Sequence, residues 1–242
     1  MPEGDGLVEL ALGTPPGEPG HGPWRRTAVA DLAQELLAPA LEAQASRCVL
    51  AIDGRGGAGK STLAARLLAA VPAATLVSTD DLAWHEPMFG WAPLALEVLA
   101  PYRAGEDVRL RPPAWERQGR DGVIEVSRTS PLLILEGTGA AQRALDAHLD
   151  AVVWVASDRE RATQLGLARD IASGVNGDEA ASRAFWDEWM THEDAFFDED
   201  RPWERADLVV AGTRPGVGGS ADAGDSGDDA APVEEDVLVA SP

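Results

Sequence analysis

The clearest chemistry in the chain is carried by Gly54-Arg55-Gly56-Gly57-Ala58-Gly59-Lys60-Ser61, which fit the pattern G-x-x-x-x-G-K-[ST]. A glycine-rich loop of this kind turns successive backbone N–H groups inward toward phosphate oxygens, and the helix that follows adds the partial positive charge of its N-terminus. Lys60 can reach the outer phosphates of a nucleotide, and the Ser61 hydroxyl can ligate Mg2+. Gly54, Gly56, Gly57, Ala58, Gly59, Lys60, Ser61 and Thr62 are therefore the candidate nucleotide-binding residues. Phosphoryl transfer needs positioning, Mg2+, cations around the transferring group and a base for the acceptor's proton. Asp80 is the candidate base and can also hold a Mg2+-bound water; Asp81 competes for the same role. Glu136, at the end of an apolar run, is placed to meet Mg2+. Arg161 and Arg169 fall near one face of a helix and could close over phosphates, although Asp158, Glu160 and Asp170 around them suit a surface salt-bridge face equally well. Trp84 and Trp115, with His85, Phe89 and Trp91, could wall an acceptor pocket for a planar group or simply fill the core. The histidines show no metal-ligand spacing.

Short apolar runs must position these groups. Cys48 to Ile52 reads as a buried strand feeding the loop, and Ser61 to Val71 as the helix leaving it. Ala74 to Ser78 ends at Asp80 and Asp81, and Pro131 to Leu135 ends at Glu136; Ala151 to Ala156 and Asp207 to Ala211 complete five strands. Helices are expected over Thr27 to Arg47 (interrupted or kinked at Pro39), Pro93 to Tyr102, Thr138 to Leu149, Asp158 to Ser173 and Asp178 to Phe197. Gly105 to Trp115 could form a small hairpin with Val123 to Val126 outside the main sheet. Strands alternating with helices predict a parallel sheet covered on both faces, and ligands bind at the carboxyl ends of such strands. The phosphate-binding loop, Asp80/Asp81 and Glu136 all fall on that edge.

The chain has 242 residues and a net charge of −21, which argues against nucleic acid as a partner. From residue 213 onward there are seven acidic residues and one basic, so the tail supplies −6 of that charge. No apolar run is long enough to span a membrane, the N-terminus lacks the order of a signal peptide, and the single cysteine, Cys48, allows no internal disulfide; together these point to the cytoplasm. Composition predicts a disordered segment over 1–26, a folded domain over 27–212 and a disordered acidic tail over 213–242, in which Val237-Leu238-Val239 is the one stretch that could dock. Self-association is left open.

With those residues in place, the chain resembles the uridine kinase and phosphoribulokinase group of P-loop kinases, over about Cys48 to Gly212. Ile52 to Thr62 is similar to the family's P-loop, and Ser78-Thr79-Asp80-Asp81-Leu82 to its post-strand motif, in which the first Asp is the base. Leu135-Glu136-Gly137 is similar to its Mg2+-associated Glu-Gly, Ala168-Arg169-Asp170 to the end of its lid helix, and Pro202 to Val210 to its closing segment. The resemblance implies the P-loop NTPase fold, a three-layer α/β/α sandwich with a five-stranded parallel sheet and a helical lid. It also implies ATP and Mg2+ as cofactors, Asp80, Lys60 and Arg169 as catalytic residues, and a hydroxyl of a small molecule, a nucleoside first of all, as acceptor. Pantothenate, a sugar or another small alcohol, and a non-catalytic nucleotide-binding regulator, are the other readings. The chain departs from the family at the acceptor side. Leu82-Ala83-Trp84 replaces Phe-Tyr, and in Pro113-Ala114-Trp115-Glu116-Arg117 the Trp and Glu stand for Tyr and Asp, with Glu116 a candidate for binding ribose hydroxyls.

Overall fold

The computed structural model describes residues 7–42, 46–214 and 236–242. In chain order its elements are β1 (Arg25–Ala28), α1 (Val29–Glu42), β2 (Cys48–Gly54), α2 (Lys60–Ala70), β3 (Thr75–Ser78), α3 (Thr79–Ala83) and α4 (Ala92–Ala104). Then follow β4 (Val108–Leu110), α5 (Pro113–Gln118), β5 (Ile124–Val126), β6 (Leu132–Glu136), a 3-10 turn at Arg143–His148 and β7 (Ala151–Ala156). The chain continues with α6 (Arg159–Ser173), α7 (Glu179–Asp200), a 3-10 turn at Pro202–Arg205, β8 (Leu208–Ala211) and β9 (Asp236–Ala240).

The five apolar runs form five parallel strands in the order β8-β7-β2-β6-β3, with the strand that feeds the phosphate-binding loop at the centre. Alternating side chains separate β2 into two faces. Cys48, Leu50 and Ile52 pack with Leu32 and Leu36 of α1 and Leu63 and Leu67 of α2. Val49 and Ala51 pack with Leu99 and Tyr102 of α4 and with Trp154 and Trp203. The result is the expected helix–sheet–helix sandwich, in which every residue of β2 is buried. The expected hairpin also forms: β4 and β5 pair antiparallel, apart from the main sheet.

The chain ends differ from expectation. The sheet has seven strands, because β9 adds antiparallel to β8 and β1 adds antiparallel to β9. The segment expected to be disordered over 1–26 is built into the fold from residue 7 onward, and residues 1–6 lie outside the described residues. Its anchor is Trp24, fully buried, whose indole N–H donates to the Leu10 carbonyl at 2.9 Å. Burying so large a side chain stabilises by on the order of 2–3 kcal/mol, enough to offset ordering a polar neighbour or two. Val8, Leu10 and Leu12, alternating along an extended segment, pack beside it. In the tail, Val237, Leu238 and Val239 are buried in β9, while residues 215–235 lie outside the described residues.

The helix expected over Thr138 to Leu149 does not form. The amides of Gly139 and Ala141 donate instead to the Asp53 carboxylate, at 2.8 and 2.9 Å, and that loop geometry leaves only the 3-10 turn at Arg143–His148. Helix α1 continues through Pro39 to Glu42.

Candidate functional site

Helix α2 begins at Lys60, and no side chain caps its N-terminus. Its first backbone N–H groups are thus left to an anion, as the loop sequence requires. Lys60 is buried, with Nζ donating to the Arg55 carbonyl at 2.9 Å and to the Thr138 hydroxyl at 3.2 Å, so its charge is held across the loop. The Ser61 hydroxyl donates to Glu136 Oε1 at 3.1 Å. This pair brings together the ends of β2 and β6, where Ile52 and Glu136 are register partners. A hydroxyl beside one carboxylate suits Mg2+, which takes few protein ligands and fills its octahedron with phosphate oxygens and water. Among the described residues no cluster of three or more His, Cys, Asp or Glu side chains is placed to hold a metal.

Burial raises the Glu136 carboxyl above its ordinary value; the Lys60 charge and the Ser61 hydrogen bond work against that, Asp80 adds to it and Arg169 opposes it. The ends of β3 and β6 lie side by side, with Ser78 and Glu136 as register partners. Gly137 lets this happen. Its φ is +139°, and a Cβ there would lie 1.8 Å from the Thr79 hydroxyl oxygen, so only glycine lets the end of β6 approach the residue before Asp80 so closely.

The two neighbouring aspartates are treated differently. Ser78 caps α3, its hydroxyl accepting the Asp80 N–H at 3.2 Å, and the Asp80 side chain is exposed, with no hydrogen bond among the described residues. Asp81 is engaged: Arg120 Nη2 lies 2.5 Å from its Oδ1. The sequence reading left both open as bases on their own residues, and the geometry leaves Asp80 as the unengaged carboxylate.

Helix α6 is the one expected to carry Arg161 and Arg169 as a lid, and α7 packs against it. Asp158 caps α6 by accepting the Arg161 N–H at 2.9 Å. The helix lies so close that a Cβ on Gly57, whose φ is +75°, would meet the Ala162 carbonyl oxygen at 2.1 Å. Arg169 is exposed and pairs with Asp170 at 2.7 Å; Asp170 is itself buried and accepts the Trp186 indole N–H at 2.8 Å. Arg161 is half-buried and donates to Gln164 at 3.4 Å. Arg169 and Arg161 thus each make a local contact within α6.

On the acceptor side, Trp115 is buried and its indole N–H donates to the Asp81 carbonyl at 2.9 Å. The Arg120 guanidinium lies over its ring at 3.7 Å and over the half-buried Trp84 ring at 5.3 Å. Trp84, Trp115, Asp81 and Arg120 form one cluster next to Asp80. Glu116 does not join it: the residue is exposed on α5 and its side chain makes no hydrogen bond among the described residues. The aromatic segment after Trp84 locks onto the lid, Phe89 stacking on Phe196 with ring centroids 4.0 Å apart and meeting Trp189 at 5.6 Å. His85 and Phe89 both hold left-handed backbone, at φ 58° and 57°. Such conformations cost of order 1–3 kcal/mol each and persist only where packing over-determines them.

The sequence reading did not single out Asp53, Thr138 or Arg120. Asp53 was quoted as part of the loop, yet a charged residue inside an apolar strand was a usable signal: it is fully buried and also accepts the Gly54 amide at 2.7 Å. Thr138 and Arg120 carry no signal in sequence, because their partners are distant in the chain. A cleft of about 230 Å³ was also missed; it lies behind α2 and is lined by residues that include Thr62, Arg66, Gly212, Thr213 and Val237. The Thr213 amide donates to the Ala58 carbonyl at 2.9 Å, and its hydroxyl to the Gly57 carbonyl at 2.8 Å, so this cleft abuts the phosphate-binding loop.

No helix among the described residues is long and apolar enough to cross a membrane. The chain matches no protein-family model and no curated protein. It is similar in structure to a provisionally assigned fructose transport system kinase from Silicibacter sp. TM1040, with TM-score 0.51 and 22% identity over 70% of this chain and 95% of the other. It is similar to the YGR205w protein, with TM-score 0.52 and 12% identity over 77% of this chain and 95% of the other. A provisionally assigned uridine kinase from Bacillus stearothermophilus aligns over 74% of this chain and 98% of its own at 17% identity, with a TM-score of 0.45. A central, mostly parallel sheet flanked by helices, with a glycine-rich loop at the end of its middle strand, is the fold that this chain shares with these structures.

Proposed function

We propose that the chain is an ATP-dependent kinase that transfers the γ-phosphoryl group of Mg-ATP to a hydroxyl of a small molecule. The observation that carries this reading is the meeting of Lys60, Ser61 and Glu136 at the glycine-rich loop, with the unengaged Asp80 at the end of the neighbouring strand, where Ser78 and Glu136 are register partners. The base of ATP would occupy the cleft between Thr62, Arg66 and Gly212-Thr213, and its phosphates the uncapped N-terminus of α2. Mg2+ held by Ser61 and Glu136 would neutralise charge on the β- and γ-phosphates. Asp80 accepts the proton of the acceptor hydroxyl, Lys60 steadies the outer phosphates, and Arg169 on the lid offsets charge that develops in transfer.

The acceptor we propose is a nucleoside such as uridine or cytidine. Trp84, half-buried beside Arg120 and next to Asp80, offers a flat face where a base could stack. A sugar is the second reading, favoured by the likeness to a protein assigned as a fructose transport system kinase. Acceptor-dependent ADP release from Mg-ATP tests both, with uridine, cytidine, other nucleosides, pantothenate and a sugar panel. Asp80→Asn should lower turnover about 10²- to 10⁴-fold without changing the melting temperature, because Asp80 is exposed. Turnover that survives Asp80→Asn would remove Asp80 as the base. ATP binding with no turnover on any acceptor would favour the regulator reading.

A further inference from the structure

Arg55 sits inside the glycine-rich loop, yet its side chain is taken up by carboxylates from outside the loop. It is 5% exposed and faces three carboxylates: Glu18 at 2.9 Å, Asp194 at 2.8 Å and Glu193 at 3.4 Å. The Phe197 ring lies 5.0 Å from its guanidinium carbon. These partners come from two distant parts of the chain. Glu18 belongs to the N-terminal segment and also accepts the Trp154 indole N–H at 3.0 Å. Glu193 and Asp194 belong to α7, and Glu193 accepts the amide of Gly56, the next residue of the loop, at 2.7 Å. Asp194 continues the network to Arg159, the first residue of α6, through contacts of 2.6 and 2.7 Å. The N-terminal segment touches the same helix again, where the Arg159 amide donates to the Gly13 carbonyl at 3.0 Å and the Gly13 amide to Asp158 at 3.2 Å.

Arg55, Glu18 and Glu193 form a buried ionic core that joins the loop, α7 and a segment that precedes the loop by more than thirty residues, and the partly exposed pair of Asp194 and Arg159 extends it to α6. A buried charge that loses its partner is heavily penalised, so Arg55, Glu18 and Glu193 act as a unit. Arg159 leads the helix that carries Arg169, so Asp194, shared by Arg55 and Arg159, connects the loop arginine to that helix.

Resting on the kinase reading above, we infer that Arg55 is a positioning residue that couples nucleotide binding on the loop to closure of the arginine-bearing lid, and that Glu18 of the N-terminal segment belongs to this coupling. Arg55 need not touch ATP. It holds the Gly56 turn and α6 in one arrangement, so that ordering the loop around phosphate also orders the lid.

The test compares ATP affinity by calorimetry and amide hydrogen exchange over residues 159–173, with and without Mg-ATP. The proteins are the full-length chain, Arg55→Met, Arg55→Lys and Glu18→Gln, with Glu9→Gln as a control on the exposed part of the same segment. The wild-type chain and the control should gain protection in α6 when ATP binds. Arg55→Met should weaken ATP binding about tenfold and lose that gain, Arg55→Lys should recover part of both, and Glu18→Gln should weaken binding about threefold. If Arg55→Met fails to fold, Glu18→Gln decides, because its amide keeps the shape of the side chain and an acceptor for Trp154. Variants that keep both the affinity and the ATP-induced protection of the wild-type chain overturn the coupling and leave the kinase reading standing. A wild-type chain that does not bind ATP overturns the kinase reading and the coupling with it.

Discussion

The two halves of the site are built in opposite ways. The half proposed for the nucleotide is made of backbone: a loop of consecutive residues, an uncapped helix N-terminus and a few side chains aimed at it. The acceptor half is made of side chains from separate stretches, with Asp81, Trp84, Trp115 and Arg120 meeting only in the folded chain. Phosphate looks the same in every nucleotide, so one contiguous turn of amides suffices to bind it. An acceptor is particular to one enzyme, and its recognition is assembled from whatever the fold brings near the base.

The comparison can be tested first through Asp53, the buried acid beneath the nucleotide half. Burial pushes its carboxyl up to about 6 from an ordinary 3.8, against the pull of the amides of Ala141, Gly139 and Gly54 and of the Lys60 charge. An acid raised in the folded state favours folding when protonated. Its contribution is complete below the unfolded value and is lost as pH rises through the folded value, here between about pH 4 and 6. The shift is worth about 3 kcal/mol. Burial raises Glu18 and Glu136 as well, so they slope in the same direction. Urea midpoints from pH 4 to 7 should fall with rising pH, and Asp53→Asn should flatten that slope. An unchanged slope would show that the nucleotide half does not rest on a buried titrating acid.

Gly57→Ala probes the contact between loop and lid. The added Cβ meets the Ala162 carbonyl at 2.1 Å on left-handed backbone, so the lid must shift. A loss of about 1–3 kcal/mol in stability is expected, together with weaker ATP binding by calorimetry. Wild-type affinity in this variant would mean that the lid is dispensable to the nucleotide half.

The smallest effect is expected at Asp81, whose pair with Arg120 is partly exposed on both sides. Such pairs contribute about 0–1 kcal/mol. Asp81→Asn should leave stability nearly unchanged and alter the acceptor KM more than kcat, the reverse of Asp80→Asn. Equal losses of kcat in both variants would erase the distinction between the two aspartates.

Much of this could be read from the chain alone, for a physical reason. A buried parallel strand needs an unbroken apolar run, and a phosphate-binding loop needs its glycines, lysine and serine in consecutive order. Cys48–Gly54, Lys60 and Ser61 meet both requirements locally, and the five parallel strands follow from the same rule. The shared edge of Glu136 and Asp80 was legible because both follow parallel strands that end on the same side of the sheet. The N-terminal segment was misread because glycine, proline and glutamate dominate its average, while the alternation of Val8, Leu10 and Leu12 and the single Trp24 carry its binding to the core. Val237 to Val239 gave too short a signal to outweigh an acidic tail until β8 and β1 offered it paired edges.

The local order of residues determined the loop and the strands. Only the tertiary structure decided that Asp81 is engaged and Asp80 is not, that Arg120 rather than Glu116 joins the aromatic cluster, and that Arg55 faces Glu18, Glu193 and Asp194. Those choices depend on contacts between residues far apart in the chain. Side-chain charge and shape acquire such partners only when packing brings them together.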